Sequence, residues 1–591
     1  MLLTAFLFGG NVKRLVLTLL MLFAVVAVSQ PMTQAQRKQD KNNPPKVSLA
    51  TEKSGDKAAA EFGNVEGITA AQLKEFLTFI ASDELEGRDT PSRGLDIAAK
   101  FIAFNLSRWG FKPAGDNGTF FQRIGLKRGQ IDKDQTKLEL GGQSYKLGDD
   151  FIPQPIMGEA AGNLVYVGHG FVIKAKNINA FEGVDVKDKI VVAAATANFV
   201  TPDDLKGELG KDYDTSVHYA STHGAKGVII IPSQQILDNW GPISRQAMGG
   251  GRTSLEAGQD PGGLPIVIAS KKLVEAIFQG EQVDGASVLK QPVSGQFSPS
   301  FALKADKQLN LAVKGTLESL PTQNVVAIWE GSDPALKEEY LAVGAHYDHV
   351  GVRPDSDGGK TDGWSRYKAF LTSAGRLGGT DKLWNGADDD GSGTTGVLAI
   401  AEALSKGPRP KRSVLLVWHA GEEKGLWGSD FVTDHPPVPL KQIIAQLNID
   451  MIGRSKKDGD TNQRNANLSG PNEIYVIGSK MMSSYLFEVS EQVNKSYLNL
   501  SFNYKYDAPD DRERLFYRSD HFNYAKKGIP IIFYFDGVHE DYHQATDHPD
   551  KIDYLKMEKV TRTVFATMWK LTNSPMRPKV DQALPPQLKG N

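Results

Sequence analysis

Five positions in the sequence combine metal-binding side chains with places where a strand or loop ends. They are His346, Asp389, Glu423, Asp450 and His543. Neutral imidazoles and carboxylates are the ligands of hydrolytic metal sites, where the ion lowers the pKa of a water towards about 7. Five ligands are few for two ions unless one carboxylate bridges them, and paired ions lie about 3.5 to 4 Å apart, a span that one carboxylate covers. The pattern therefore predicts a two-metal hydrolase centre, with Asp389 as the shared ligand.

Apolar runs typical of buried strands come shortly before four of these positions, and Asp389 lies in a Gly- and Asp-rich stretch that opens a helix. The four runs are Leu341–Ala345, Ser413–Trp418, Ala445–Ile449 and Ile529–Phe535. In open α/β sheets, ligands gather outside the carboxyl ends of the strands. We therefore expect side chains that are far apart in sequence to converge at one edge of a sheet.

Length and composition limit the classes of protein to consider. A chain of 591 residues exceeds one hydrophobic core and indicates two or three domains. A net charge of −2 indicates neither nucleic acid nor an anionic membrane surface as a partner. The absence of cysteine excludes disulfides and thiolate metal ligands.

The amino-terminal residues 1–29 have the pattern of a signal peptide. Lys13 and Arg14 precede the apolar run Leu15–Val28, and the small residues Ala27 and Ser29 have the spacing of a cleavage site. A membrane anchor is the alternative, but the run is shorter than the roughly 20 residues that span a bilayer. The sequence thus predicts a secreted or periplasmic protein with no stable membrane anchor after signal cleavage.

The rest of the chain divides by composition. Residues 30–64 are polar and predict a disordered linker, and residues 574–591 predict a flexible tail. Short β-like runs between Gly-rich turns indicate a separate β-rich domain over residues 130–315, inserted into a domain formed by residues 65–129 and 316–573. Alternating strands and helices in the latter predict an α/β fold, with a mixed, mostly parallel sheet and helices on both faces.

Five sequence blocks together resemble, in order, the co-catalytic zinc exopeptidase family, which includes the bacterial leucyl aminopeptidases, aminopeptidase Y and glutamate carboxypeptidase II. The blocks are Gly344–His349, Asn385–Gly393, Ala420–Gly428, Asn448–Arg454 and Asp541–Asp547. The resemblance extends over roughly residues 65–130 and 320–572. The insert resembles a protease-associated domain, chiefly over 181–192 and 224–230.

The family resemblance implies a role for each position. One zinc ion is expected on His346 and Asp450, a second on Glu423 and His543, and Asp389 is expected to bridge the two Zn²⁺ ions. Glu422 is expected to be the general base, because its neighbour is neutralised by coordination while Glu422 stays free to take a proton. Asp348 is expected to orient the His346 imidazole. Tyr542 is expected to donate a hydrogen bond to the developing oxyanion. The donor set also suits cobalt or manganese.

Other residues near these motifs have simpler explanations. His349, His419, His521, His539 and His548 are interpreted as loop or supporting residues. The polar stretch from Val352 to Trp384 is interpreted as a rim or lid over the site. Three arginines at 512, 514 and 518 either clamp a substrate carboxylate or form a solvated loop, and the solvated loop is the simpler hypothesis.

The predicted function is a secreted dinuclear zinc aminopeptidase that acts on peptides. A carboxypeptidase related to glutamate carboxypeptidase is the alternative in the same class, and a non-catalytic receptor of the same fold is the alternative in another class. A receptor is expected to lose ligands, whereas all five ligand positions and Glu422 are present here. The oligomeric state and the preferred side chain stay open.

Overall fold

The computed structural model describes residues 61–195, 200, 209–248, 252–256, 263–352, 369, 371–373 and 379–583. The predicted signal peptide and most of the predicted linker and of the predicted rim or lid lie outside these residues. None of the helices in the described ranges combines the length and hydropathy needed to cross a membrane.

The regular elements are numbered in chain order. The helices are α1 Ala70–Ile80, α2 Arg93–Arg108, α3 Ser216–Thr222, α4 Gln234–Asp238, α5 Trp240–Ala247, α6 Lys271–Phe278, α7 Gly285–Ser294, α8 Gly393–Ser405, α9 Trp427–Asp434, α10 Ser479–Met482, α11 Ser484–Ser496, α12 His521–Lys526 and α13 Tyr554–Asn573. Shorter helical turns are Val65–Gly67, Asp83–Arg88, Asp116–Gly118, Lys174–Lys176, Ala387–Ser392, Leu440–Gln442, Gln463–Asn465, Leu515–Tyr517 and Pro549–Lys551.

The strands are β1 Lys112–Pro113, β2 Phe121–Ile131, β3 Lys137–Leu140, β4 Gln143–Tyr145, β5 Phe151–Pro153, β6 Gly158–Tyr166, β7 Val172–Ile173, β8 Ile178–Asn179, β9 Ile190–Ala194, β10 Tyr213–Asp214, β11 Gly227–Ile231, β12 Arg252–Leu255, β13 Ile266–Ala269, β14 Phe301–Ala302, β15 Gln308–Val313, β16 Gly315–Trp329, β17 Tyr340–His346, β18 Gly351–Val352, β19 Leu383–Trp384, β20 Ser413–His419, β21 Ile443–Ile449, β22 Glu473–Ile477, β23 Ser501–Asn503 and β24 Ile531–Phe535.

A mixed sheet forms the centre of the larger domain, in the strand order β12-β2-β16-β20-β17-β21-β24-β22-β23. Its middle strands β20, β17, β21 and β24 run parallel to one another. Strand β16 pairs antiparallel with β20, and β22 pairs antiparallel with β24. The predicted mixed α/β sheet is confirmed, with its parallel pairs concentrated in the middle.

Both faces of this sheet are covered, which explains why its strands are apolar at nearly every position. Alternate residues of β17 point to opposite faces, as the period of a strand requires. Val343 and Ala345 belong to a core shared with α1, α2, α8 and α13. Ala342 belongs to the core on the other face, together with residues of α9 and α12. The middle strands are therefore fixed from two sides.

A second sheet lies within the predicted insert, in the order β4-β3-β15-β6-β9-β11-β13-β5, and has hydrophobic clusters of its own. The insert also touches the larger domain through β12, which pairs antiparallel with β2 at the edge of the central sheet. At the other end of the chain, the Asp581 carboxylate accepts a hydrogen bond of 2.9 Å from the Ser484 amide.

Candidate metal centre

All five predicted ligands lie at the carboxyl end of the central sheet. His346 is the last residue of β17, and Asp450 directly follows β21. Glu423 lies in the turn after β20, and His543 lies in the loop after β24. Asp389 lies in the turn Ala387–Ser392, which leads into α8. The middle strands thus deliver residues from distant parts of the sequence to one place.

The donor atoms form two sets that share one carboxylate. The Nε2 atom of His346 lies 3.3 Å from Oδ1 of Asp389 and 3.7 Å from Oδ1 of Asp450. The Nε2 atom of His543 lies 3.0 Å from Oδ2 of Asp389 and 3.1 Å from Oε2 of Glu423. Within each set, the donor atoms lie within 4.8 Å of one another. Asp389 therefore directs one oxygen to each imidazole–carboxylate pair.

The imidazoles and carboxylates of the site lie as close ion pairs. Burial opposes protonation of His346, but the Asp450 charge and hydrogen bonding raise its pKa well above the usual range. Burial also opposes protonation of His543, but Glu423, Tyr542 and Asp389 together raise its pKa well above the usual range. Burial opposes ionisation of Glu423, yet the charge of His543 and the hydrogen bonds from His543 and His349 together lower its pKa to about 2. Metal uptake at this site must displace protons from the two imidazoles.

These residues fit a divalent cation. Oδ2 of Asp389 and Nε2 of His543 are buried and lie 3.0 Å from each other as an ion pair, but neither forms an aligned hydrogen bond. Burial of such atoms is unfavourable unless a hydrogen-bond partner or a metal ion satisfies them. Nitrogen and carboxylate donors suit zinc, and also cobalt or manganese. Each donor set therefore offers at least three ligand atoms that a divalent cation could bind.

His349 lies closer to this centre than the sequence predicted. Its Nδ1 atom lies 2.9 Å from Oε1 of Glu423 and 3.7 Å from Oδ2 of Asp389. The residue is fully buried, and its Nδ1 completes the donor set of Asp389, Glu423 and His543. His349 therefore holds one oxygen of Glu423 while the other oxygen faces His543. Its position three residues after His346 was the available signal in the sequence.

Glu422 lies beside the donor sets without belonging to either. Its backbone N–H donates to Oδ1 of Asp348 at 3.2 Å, and the residue is 9% exposed. Within the described part of the chain, its carboxylate forms no hydrogen bond or ion pair. Burial, reinforced by the charges of Glu423 and Asp450, raises its pKa well above the usual range, although His346 opposes this. A carboxylate in this state is suited to accept and return a proton.

Asp348 contacts His346 mainly through its backbone. Its carbonyl oxygen lies 3.1 Å from Nδ1 of His346, whereas its carboxylate Oδ1 lies 3.6 Å from the same atom. The second distance exceeds that of a hydrogen bond. Asp348 is fully buried, and its Oδ1 instead accepts the Glu422 amide. The residue thus connects the His346 loop to the Glu422 turn.

Tyr542 stacks on His543, with ring centroids 4.0 Å apart. Burial raises the pKa of its hydroxyl to about 12. The hydroxyl therefore keeps its proton at neutral pH and can donate a hydrogen bond.

Three buried side chains that the sequence reasoning missed hold the ligands in place. Asp390 accepts the His346 amide at 3.2 Å, and Asp547 accepts the Asp389 amide at 3.2 Å. The Ser519 hydroxyl donates to Oδ2 of Asp450 at 2.5 Å, which leaves Oδ1 of Asp450 towards His346. Asp390 lies in the block Asn385–Gly393 and Asp547 lies in the block Asp541–Asp547, whereas nothing in the sequence connects Ser519 with Asp450.

The turn that carries Asp389 depends on a glycine. Gly386 has a φ of +57°, and a Cβ there would lie 2.3 Å from the Asp389 carbonyl oxygen and 2.6 Å from the His349 ring. Only glycine fits both the left-handed backbone and the close approach.

The remaining histidines named in the sequence analysis have partners outside the two donor sets. His419 lies 3.3 Å from Asp520, and His539 lies 3.1 Å from Asp388. His521 contacts the Phe516 carbonyl at 2.8 Å, and His548 lies 3.4 Å from Asp381. These contacts agree with supporting roles.

Of the three arginines, Arg512 and Arg518 are exposed, and Arg514 stacks over the ring of Tyr517. Arg518 directly precedes Ser519, and its charge lowers the pKa of Tyr542 against the raising effect of burial. The arginine loop therefore reaches the rim of the candidate centre.

Comparison with known proteins identifies the region that carries these residues. Residues 324–568 match the model of peptidase family M28. A probable zinc metalloprotease from Leptosphaeria maculans is 27% identical over 225 residues, which cover 33% of this chain and 50% of that protein. A probable leucine aminopeptidase from Trichophyton verrucosum is 25% identical over 275 residues, which cover 44% of this chain and 63% of that protein.

Among solved structures, an aminopeptidase from Aneurinibacillus sp. strain AM-1 aligns with 88% of this chain and 97% of its own, at 16% identity and a TM-score of 0.49. The chain spans only about half to two thirds of the length of the curated relatives it matches. The family match itself contains both donor sets and Glu422. The chain is thus similar to peptidase family M28 over the region that carries the candidate centre.

Proposed function

We propose that this chain is a secreted dinuclear zinc aminopeptidase that removes amino-terminal residues from peptides. The observation that carries the proposal is the position of Asp389, whose two oxygens lie with separate imidazole–carboxylate pairs. A single carboxylate between two such pairs is the arrangement that a two-metal hydrolase needs. The relatives named as zinc metalloproteases and leucine aminopeptidases support the same metal and reaction.

Within this proposal, each residue has a defined task. His346 and Asp450 would hold one ion, Glu423 and His543 would hold the other, and Asp389 would be shared between them. Bound zinc ions supply activation of a water and polarisation of the scissile carbonyl. Glu422 accepts the proton of the attacking water and returns it to the leaving amine. Tyr542 donates its hydroxyl hydrogen to the carbonyl oxygen as negative charge develops there.

The carboxylates around the centre favour an amino terminus over a carboxyl terminus. A free α-amino group has a pKa of about 7.7 to 8.0 and is substantially cationic near neutral pH. It would meet the buried carboxylates of Asp389, Glu422 and Asp450 and the half-buried carboxylate of Glu423. A carboxypeptidase would instead need a basic group, and Arg518 at the rim is the candidate for it.

We expect acetylation of a peptide's amino terminus to abolish cleavage and amidation of its carboxyl terminus to have little effect. The measurement compares one peptide in free, acetylated and amidated forms, with metal analysis of the same enzyme preparation. The opposite pattern would assign the activity to a carboxypeptidase and the Arg518 loop to substrate binding. Two zinc ions bound without cleavage of any form would favour a binding protein of the same fold.

Residues 130–315 are proposed to form a separate domain that shapes access to the site and resembles a protease-associated domain. Its sheet packs around hydrophobic clusters that are distinct from those of the central sheet. We expect the isolated segment to unfold cooperatively and to cleave no peptide, because it contains none of the donor residues. Thermal unfolding and peptide assays of the segment test this, and hydrolysis by the segment would contradict the division.

Export is proposed because residues 1–29 have the pattern of a signal peptide. These residues lie outside the described part of the chain. A protein recovered from the medium or periplasm with residues near Gln30 at its amino terminus would support it.

A further inference from the structure

Arg88 is a fully buried arginine from a part of the chain outside the family match. It ends the helical turn Asp83–Arg88, between α1 and α2, and is 0% exposed. Charged side chains are rarely buried without dedicated partners, because removing them from water is costly. The contacts of Arg88 therefore indicate what its burial achieves.

All four hydrogen bonds of the guanidinium go to backbone carbonyls. Nε donates to Tyr347 at 2.9 Å, and Nη2 donates to Gly386 at 2.9 Å. Nη1 donates to Ile80 and Asn385, both at 2.6 Å. The planar fork of arginine presents its donors in fixed directions, which suits several acceptors in different segments.

Three of these acceptors belong to the segments that carry metal-binding residues. Tyr347 directly follows His346, whereas Asn385 and Gly386 begin the segment that leads to Asp389. The contact is reciprocal, because the His349 amide donates to the Arg88 carbonyl at 3.1 Å. Arg88 therefore joins the segments on either side of the 3.3 Å gap between His346 Nε2 and Asp389 Oδ1.

The charge of Arg88 also fits this position. Burial lowers the pKa of Arg88 to about 10, while the negative charges of Asp348, Asp389 and Asp390 oppose that shift. The side chain thus stays cationic at neutral pH, close to the carboxylates of Asp348, Asp389 and Asp390. A lysine would keep the charge but would offer a single nitrogen in place of the fork.

We infer that Arg88 is a positioning residue of the metal centre, which holds the His346 and Asp389 segments at the separation that an ion requires. The inference rests on the metal centre proposed above. A purely structural role, in which Arg88 only attaches the turn after α1 to the domain, would lower stability without a specific effect on the ions.

Arg412 provides a matched control. It is 2% exposed, and its Nη1 donates to the Leu571 carbonyl at 3.2 Å. Its Nε donates to Glu339 at 2.6 Å. Arg412 directly precedes β20 and therefore lies at the end of the sheet opposite the donor sets. Arg88→Lys and Arg412→Lys remove the same fork from equally buried positions of one domain.

The experiment uses the full chain and measures zinc affinity by chelator competition, zinc content by elemental analysis and the Tm of the metal-free protein. Loss of a hydrogen-bond partner behind metal ligands typically weakens metal binding by about 10- to 100-fold. We expect Arg88→Lys to weaken zinc binding by at least about tenfold on that basis. Arg412→Lys should lower the Tm of the metal-free protein by a similar amount but leave the zinc affinity unchanged. Equal zinc affinities in the two variants would overturn the inference.

A second measurement covers the case in which Arg88→Lys does not fold. In the wild-type protein, zinc binding should slow hydrogen exchange of residues 83–90 and 385–391 and leave the start of α1 unchanged. Unchanged exchange in residues 83–90 would overturn the inference. Failure of the wild-type protein to bind zinc would instead overturn the proposed metal centre, so the two failures are distinguishable.

Discussion

Replacing Glu422 by glutamine is expected to remove most turnover while leaving both ions bound. The amide has nearly the shape of the carboxylate but cannot accept a proton from the attacking water. General-base catalysis contributes about 10²- to 10⁴-fold, and kcat should fall by at least that factor. Because the Glu422 carboxylate belongs to neither donor set, zinc content should stay at the wild-type level. Steady-state kinetics and elemental analysis of one preparation measure both quantities.

The neighbouring residue supplies the control. Glu423→Gln changes a side chain whose Oε2 lies 3.1 Å from His543 and whose Oε1 lies 2.9 Å from His349. That variant should lose zinc from one donor set as well as activity. The contrast between adjacent positions separates proton transfer from metal binding. Near-normal turnover in Glu422→Gln would remove Glu422 from the base role.

The positions of the candidate ligands were predictable because they follow apolar strands. Leu341–Ala345 is buried on both faces of the sheet, so it had to be a middle strand, and His346 had to emerge at its carboxyl end. The same reasoning applies to Asp450 after β21. In both cases a pattern within a few residues determines where the side chain lies.

The hydrogen bonds that hold the ligands were not predictable in this way, because they join segments far apart in the chain. Ser519 is a common residue type in a polar stretch, and only the fold brings its hydroxyl to Asp450. Arg88 lies in a charged segment that ordinarily indicates solvent exposure. Its burial depends on four carbonyl groups that converge only when the domain is folded.

The extent of the insert was also only partly predictable. Its short β-like runs indicate a second sheet, which the structure contains. Residues 252–255 nevertheless pair with β2 at the edge of the central sheet. An edge strand of four residues has no sequence pattern that reveals which of two sheets it joins.

Replacing Asp389 by alanine is expected to abolish activity and to lower stability more in the zinc-bound state than after chelation. Asp389 is the carboxylate common to both donor sets, so its removal weakens both sites at once. A ligand present at about 1,000 times its Kd adds about 4 kcal/mol to the free energy of unfolding. The variant should lose a zinc-dependent stabilisation of about that size. After chelation the wild-type protein also lacks the stabilisation by zinc. The difference in Tm between the wild type and Asp389→Ala should therefore become smaller.

The narrowing of that gap distinguishes a shared metal ligand from an ordinary buried carboxylate. Asp507 is 8% exposed and accepts backbone N–H bonds from Gly478 and Lys480 at 2.9 and 3.0 Å. It belongs to neither donor set, so Asp507→Ala should lower Tm equally with and without zinc and keep the zinc content. Full zinc occupancy in Asp389→Ala would show that Asp389 does not bridge two ions. Loss of only one zinc per chain would reduce its role to a ligand of one ion, because a bridging carboxylate stabilises both.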